Sequence, residues 1–145
     1  PFDEWIKRIK KLSDRFLIGD FGCGEAKIAE EIGSRIINFD HVAIDSNVIS
    51  CDMKDVSDHV KNGGLDVALF SLSLMSKNWQ DYLKEASRCL NENGLLFISE
   101  TTNSLSKRLE TLRDEIKELG FEIYKDEKIG LFTFIEARKI ETDED

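Results

Sequence analysis

The feature that most limits what this chain can fold into is an almost unbroken apolar run at residues 65–71. The run follows Asn62, Gly63 and Gly64, which end any preceding helix. A short apolar run without polar alternation is typical of a strand covered on both faces, as at the centre of a parallel sheet. We therefore expect a sheet with helices packed on both of its sides.

Helical and strand patterns alternate on both sides of this run. Before it, the patterns predict a helix over 2–13, a strand over 16–20, a helix over 25–32, strands over 35–40 and 47–51, and a helix over 55–61. After it, they predict a helix over 79–90, a turn at 91–94, a strand over 95–99, a helix over 104–119, and strands over 121–124 and 131–137. This order predicts an α/β fold with a doubly wound, mostly parallel sheet and a C-terminal antiparallel hairpin.

Length and composition predict one domain. The chain has 145 residues, 41% of them apolar, so it can build a single core over residues 1–140, and the acidic segment 141–145 is expected to be a disordered tail. No apolar segment approaches the roughly 18 residues of a membrane span. We expect a soluble intracellular protein without membrane contact, and a monomer.

Cysteine spacing and charge narrow the function classes. Cys23, Cys51 and Cys89 are odd in number and too far apart for a zinc knuckle, so we expect reduced thiols and no metal. A net charge of −9 argues against a broad nucleic-acid-binding face. The basic cluster of Lys7, Arg8, Lys10 and Lys11 is interpreted as a solvated helix face.

A glycine-rich loop connects the first predicted strand to the helix after it. Gly22 and Gly24 allow the backbone to approach a ligand closely, and Asp20 before them suits a ligand with a cationic amino-acid group. A dinucleotide fingerprint needs a third small residue where this chain has Lys27, which disfavours NAD. The pattern is common in enzymes that use S-adenosylmethionine.

Acidic residues end the next two predicted strands. A ribose needs a carboxylate after the second strand, and the spacing from Gly24 permits either Asp40 or Asp45. After the third strand, Asp52 can accept a hydrogen bond from an adenine amino group, and Met53 can pack on the ring. These positions meet at the carboxyl edge of one sheet.

Several short motifs resemble the ribosomal-RNA-processing methyltransferase family that includes nucleomethylin. They are residues 21–24, 39–40, 51–53, 66–70, 72–75 and 93–96, so the likeness extends from Pro1 to the last strand. The resemblance implies a seven-stranded class I methyltransferase fold, S-adenosylmethionine as cofactor, and methylation of an adenine ring nitrogen in ribosomal RNA. It implies a nuclear or nucleolar location if the protein is eukaryotic, and a cytoplasmic one otherwise.

Carried onto this sequence, the resemblance places cofactor contacts at Gly22, Asp40, Asp52, Met53 and Ser71, and it selects Asp40 over Asp45. Relatives commonly have a cysteine where this chain has Ser71. They also carry sequence before the position of Pro1, including a histidine implicated in cofactor binding and basic segments suited to RNA. We expect either a truncated domain or a different substrate.

Methyl transfer to an adenine ring nitrogen needs no strong base, so no catalytic base is assigned. Ser71, Ser73 and Met75 are the candidates to line the transfer site, although Met75 by itself is typical of core packing. His41 and His59 are expected at the surface. Two alternatives stay open: a small-molecule or protein methyltransferase, and a non-catalytic methyltransferase-like binding module of a larger protein.

Overall fold

The computed structural model describes residues 1–24, 26–44 and 46–140. Within them the elements follow the order α1 (Phe2–Ile9), β1 (Ile18–Phe21), α2 (Lys27–Ile32), β2 (Ile36–Asp40), β3 (Val48–Ser50), β4 (Leu65–Ser71), α3 (Trp79–Cys89), β5 (Leu90–Thr101), α4 (Thr102–Leu105), α5 (Leu109–Glu118), β6 (Phe121–Ile129) and β7 (Phe132–Lys139). The predicted segment 141–145 lies outside this range.

The strands form one sheet in the order β3-β2-β1-β4-β5-β7-β6. The first five strands are parallel, and β7 runs antiparallel to both β5 and β6. The apolar run 65–71 is the central strand β4 with the predicted bounds. The doubly wound sheet with its C-terminal antiparallel hairpin is therefore confirmed.

Each face of the sheet is covered by its own apolar cluster. On one face, under α3 and α5, the Phe21 ring stacks on Phe70 with ring centroids 5.1 Å apart and packs at a tilt against Phe39 at 5.3 Å. On the other, Trp5 of α1 stacks on Phe97 at 4.9 Å. Full burial of one such ring contributes roughly 1.5–3 kcal/mol. These two layers hold the strand ends in fixed positions.

Helix α1 is anchored more deeply than its basic residues suggest. Arg8 is only 10% exposed, and its guanidinium pairs with Glu4 at 2.7 Å, with Glu136 at 2.6 Å and with Glu127. It also lies over the Phe134 ring. The interpretation of the whole basic cluster as a solvated face is therefore wrong for Arg8, because long-range carboxylates on β6 and β7 surround it.

The predicted helix over 55–61 is wrong: the structure has turns there. Asp55 accepts hydrogen bonds from both the amide and the hydroxyl of Ser57, at 3.0 and 2.5 Å, and the Val56 amide donates to buried Glu85 at 2.5 Å. A short polar side chain that bonds the backbone two residues ahead competes with the helical pattern.

Several other boundaries differ from the prediction, among them the end of β6, which extends to Ile129 rather than ending at 124. Helix α1 ends at Ile9, and the predicted helix 104–119 is divided into α4 and α5, with the Ser106 hydroxyl donating back to the Asn103 carbonyl at 2.9 Å. The predicted turn at 91–94 lies inside β5, where Asn93 has a positive φ of 66° and the pairing with β4 shifts register. None of the helices in the described part of the chain is long and apolar enough to cross a membrane.

Candidate functional site

The strand order reverses at the centre of the sheet. From β1 the chain passes to β2 on one side, and it returns to β4 on the other side of β1. Loops that leave two adjacent parallel strands in opposite directions open a crevice at their carboxyl ends, which is where ligands bind in open α/β sheets. The loops after β1 and β4 flank this crevice.

The loop after β1 is shaped by a contact that only glycine permits. Gly22 has a φ of +82°, and a Cβ placed on it would lie 2.5 Å from the Cβ of Ser73, in the loop after β4. The Ser73 hydroxyl donates to the Phe21 carbonyl at 2.5 Å. The two loops that flank the crevice are therefore joined directly, and a side chain at Gly22 would push them apart.

Asp40, at the end of β2, lies against the same glycine loop. Its Oδ2 accepts from the amide of Gly24 at 2.8 Å, and its Oδ1 accepts from the amide of His41 at 2.7 Å. A carboxylate has about four lone-pair positions, so about two remain for a ligand. Asp45, the alternative that the spacing leaves open, lies outside the described residues.

The two residues predicted to contact adenine, Asp52 and Met53, lie in different surroundings. Asp52 is exposed just after β3, where its carboxylate accepts from the Lys54 amide at 3.0 Å. Met53 is 3% exposed, and its Cε lies 3.8 Å from the position of a Cβ on Gly22. The structure thus brings Met53 beneath the glycine loop and leaves the Asp52 carboxylate accessible at the rim of the crevice.

Asp20 is a buried acid. It is 3% exposed in β1, and none of the described residues donates a hydrogen bond to its carboxylate. Burial, reinforced by the charge of Asp40, raises the pKa of Asp20 to about 7. A carboxyl group in such surroundings favours a cationic partner, because a positive charge would stabilise its ionised form.

Ser71 is not joined to the residues around the glycine loop. Its side chain is buried at the end of β4, where its Oγ lies 3.5 Å from that of Ser99, which accepts from the indole nitrogen of Trp5 at 2.7 Å. Strand alternation places Ser71 on the α1 side of the sheet, the side of Asp20. Ser71 therefore connects the edge of the site to α1.

The sequence interpretation missed Glu100, at the end of β5. Glu100 is 4% exposed, and its Oε2 accepts from the Leu74 amide at 3.1 Å, while the Leu72 amide donates to the Ser99 carbonyl at 2.9 Å. Burial raises the pKa of Glu100. Leu72 itself has a φ of +60°, a strained conformation for a leucine. An acidic residue directly after the predicted strand 95–99 was the available signal.

Other expected placements agree with the structure. Met75 is half-buried and packs against the core. His41 is exposed, with its ring nitrogen 3.1 Å from the Tyr82 hydroxyl. His59 is exposed as well.

A separate groove of about 560 Å³ lies at the opposite, amino edge of the sheet. Its cations are already engaged: Arg88 pairs with Glu85 at 2.6 Å, and Lys139 donates to the carbonyls of Ser87 and Leu90. Within residues 1–24, 26–44 and 46–140, no three His, Cys, Asp or Glu side chains are arranged to hold a metal ion. The convergence of polar groups, rather than cavity size, therefore places the site at the carboxyl edge.

Comparison with known proteins identifies the family of the chain. A family model described as a hypothetical methyltransferase matches residues 1–145. The chain belongs to this family. The chain is also similar to curated relatives named for ribosomal RNA processing and rRNA methylation, so the resemblance inferred from the sequence motifs is confirmed.

Two relatives of this methyltransferase family domain illustrate the extent of the likeness. The chain is 37% identical to the ribosomal RNA-processing protein 8 of Dictyostelium discoideum over 144 residues, which is 97% of this chain and 36% of the relative. It is 36% identical to the 25S rRNA (adenine(645)-N(1))-methyltransferase of Schizosaccharomyces pombe over 97% of this chain and 48% of the relative. The domain thus spans less than half the length of these relatives.

Solved structures share the fold at low identity. An S-adenosylmethionine-dependent methyltransferase from Mesorhizobium loti superposes with a TM-score of 0.72 at 13% identity, covering 95% of this chain and all of that one. The [4+2]-cyclase SpnF superposes with a TM-score of 0.77 at 13% identity, covering 95% and 80%. A protein named as a cyclase among these neighbours shows that the fold does not determine the reaction.

Proposed function

We propose that this domain binds S-adenosylmethionine and transfers its methyl group to a ring nitrogen of adenine in ribosomal RNA. The observation that carries the proposal is the glycine loop, which is joined to Asp40 and follows directly on the buried carboxyl group of Asp20. The relative from fission yeast is named for this reaction on 25S rRNA. Because the domain spans under half of that relative, the acceptor is inferred from likeness.

The residues of the crevice fit this cofactor in shape and charge. The absence of a side chain at Gly22 lets the loops after β1 and β4 meet beside the crevice, and the acidic side chains Asp20, Asp40 and Asp52 lie at or just after the ends of β1, β2 and β3. S-adenosylmethionine has a sulfonium and an ammonium group against one carboxylate. A negatively charged crevice with a buried acid therefore complements its net positive charge.

Each residue then has a defined task. Gly22 and Gly24 let the loop backbone approach the amino-acid part, whose ammonium group Asp20 stabilises. The remaining lone pairs of Asp40 accept from the ribose hydroxyls, and exposed Asp52 accepts from the adenine amino group. Met53 supports the loop from below, and Ser71 holds the end of β4 against α1.

The chemistry asks little of the protein beyond placement. The bound cofactor supplies an electrophilic methyl group that needs no further activation. An adenine ring nitrogen has a free lone pair, so the chain has to orient the base and exclude water rather than remove a proton. The loop 72–75, held by Phe21, Ser99 and Glu100, is placed to do this.

Two measurements on the same sample test the proposal. Calorimetric titration with S-adenosylhomocysteine is expected to show a single site, and labelled methyl is expected to enter a ribosomal RNA transcript at adenine. Absence of any binding would contradict the cofactor assignment. Transfer to small metabolites or proteins, but never to the transcript, would contradict the proposed acceptor.

We also propose that the protein acts where ribosomal RNA is made, in the nucleolus if it is eukaryotic.

A further inference from the structure

Charge is distributed unevenly along the carboxyl edge of the sheet. The ends of β1 to β3 are acidic. Three segments at the other half of the edge, 71–80, 101–109 and 128–132, contain no aspartate or glutamate, although the chain has 29 such residues among 145. They carry four exposed basic side chains instead: Lys77, Lys107, Arg108 and Lys128.

The three segments form one surface. The Thr102 amide donates to the Leu131 carbonyl at 2.9 Å, which joins the segment after β5 to the turn between β6 and β7. An Arg108 nitrogen lies 4.0 Å from the sulfur of Met75, which joins the same segment to the loop after β4. We call the exposed residues of 72–78, 101–108 and 128–131 the basic rim. A groove of about 320 Å³ lies along part of it.

The charges of the basic rim are not neutralised by neighbouring carboxylates. None of its four basic side chains forms an ion pair with a described residue, whereas Arg8, Arg88, Arg113 and Arg138 all do. Of the acids that adjoin these segments, Glu100 is buried and turned to the Leu74 amide, and Glu127 pairs with Arg8, while exposed Asp81 and Glu110 form no ion pair with the four basic side chains. The rim therefore presents positive charge to solvent in a chain whose net charge is −9.

We propose that the basic rim binds the phosphate backbone of the acceptor RNA. The proposal rests on the proposed function, because the acceptor has to reach the crevice beside the loop 72–75. Lysine and arginine contacts to phosphates provide affinity and fix orientation, and exposed Asn103, Ser104 and Ser106 are further phosphate or sugar donors. The acidic half of the edge repels the same backbone, so the RNA can approach from the rim alone.

The test compares two triple variants with the same change in net charge. The rim variant carries Lys77→Glu, Arg108→Glu and Lys128→Glu. The matched control carries Lys61→Glu, Lys84→Glu and Lys117→Glu, all exposed residues outside the rim. Binding of a fluorescently labelled, adenine-containing single-stranded RNA is measured by anisotropy over a series of salt concentrations. A second rim variant with glutamine at the three positions covers the case in which charge reversal impairs folding.

The rim variant is expected to lose at least about tenfold in affinity for the RNA. The slope of log affinity against log salt concentration is expected to fall in magnitude by about two, because each of the three lost phosphate contacts contributes about 0.7. The control is expected to stay within about twofold of wild type, because its charges lie outside the rim. Equal losses in both variants, or no RNA binding by the wild-type chain, would overturn the proposal. Displacement by polyglutamate as effective as by unlabelled RNA would also overturn it, in favour of an acidic protein partner.

Titration with S-adenosylhomocysteine separates this inference from the proposed function. The rim variants are expected to bind it as the wild type does, because the three substituted residues, Lys77, Arg108 and Lys128, are not among the crevice residues named above. Intact cofactor binding with unchanged RNA affinity in the rim variants would overturn the rim alone. Loss of cofactor binding in the wild type would instead overturn the proposed function.

Discussion

The two halves of the carboxyl edge differ in charge, burial and construction. The half formed by β1 to β3 is acidic, and backbone amides and a close glycine contact hold Asp40 and the glycine loop together. The half formed by β4, β5 and the turn before β7 is basic and exposed. One sheet edge can therefore carry separate surfaces for a cationic small ligand and for a polyanionic one. The net charge of −9 does not reveal this division.

The largest expected effect is at the junction of the two halves. Gly22→Ala forces a side chain into the 2.5 Å contact with Ser73 at a positive φ, so we expect the free energy of unfolding to fall by about 2–5 kcal/mol. Cofactor binding should be lost as the loops separate. Urea unfolding and calorimetric titration measure the two effects.

Gly24→Ala is the matched control for that change. Gly24 also has a positive φ, of 56°, but a Cβ there would meet no atom of the described residues within 4 Å, so only the backbone cost of about 1–2 kcal/mol is expected. Equal destabilisation by the two variants would show that the contact between Gly22 and Ser73 is unimportant.

The next largest effect is a pH-dependent gain in stability when Asp20, in the acidic half, is replaced. Burial, reinforced by Asp40, raises the pKa of Asp20 from an ordinary 3.8 to about 7, so the folded state loses stability as the pH rises through this interval. Asp20→Asn removes that loss, so above pH 7 the variant should exceed wild type by about 3–4 kcal/mol, from a shift of about three units.

Unfolding by urea at pH 5 and pH 8 measures this difference, which should be the larger at pH 8. Calorimetry provides the functional counterpart: wild-type Asp20 should release a proton when a cationic ligand binds near pH 6, and Asp20→Asn should not. A stability difference that is independent of pH would show that Asp20 is not held in its neutral form.

Asp40→Ala should weaken binding of S-adenosylhomocysteine by about 10–100-fold, since a hydrogen bond to a charged group contributes about 1.5–3 kcal/mol. RNA affinity should not fall, because the removed charge repels phosphate. Asp45→Ala is the control, because Asp45 is the alternative ribose ligand. If Asp40→Ala binds S-adenosylhomocysteine more tightly than Asp45→Ala does, Asp45 rather than Asp40 is the ribose ligand.

The smallest effect concerns the basic half. Glu100→Ala removes the acceptor for the Leu74 amide and should lower methyl transfer and stability, the latter by about 1–3 kcal/mol. Glu100→Gln keeps an acceptor oxygen and should restore both, while cofactor affinity stays unchanged in each variant. If the glutamine variant fails as the alanine variant does, the negative charge matters rather than the support of loop 72–75.

The sequence allowed most of the fold and much of the site to be predicted, for identifiable reasons. The apolar run 65–71 gave the bounds of β4 correctly because burial on both faces leaves no polar alternation to misread. The helix over 55–61 was predicted wrongly because the bonds of Asp55 to Ser57 and of Val56 to Glu85 override helix propensity. The bonds between Asp55 and Ser57 are local, but the bond of the Val56 amide depends on Glu85, 29 positions away.

Within the site, the placement of Gly22, Gly24 and Asp40 together followed from spacing and the family motifs, since parallel strands bring their carboxyl ends to one edge. Glu100 was missed, because its role depends on a loop 26 residues earlier in the chain. The bonded position of Arg8 was likewise missed, since its partners Glu127 and Glu136 lie at the other end of the chain.

The sequence by itself determined the fold class, the family and the acidic residues of the crevice, because these follow from hydrophobic period and from local motifs. Only the tertiary structure decided which charges are buried, which are paired and which share a surface. Those properties depend on contacts between distant segments: the burial of Asp20 raises its pKa, and the joining of 72–78, 101–108 and 128–131 makes one basic rim.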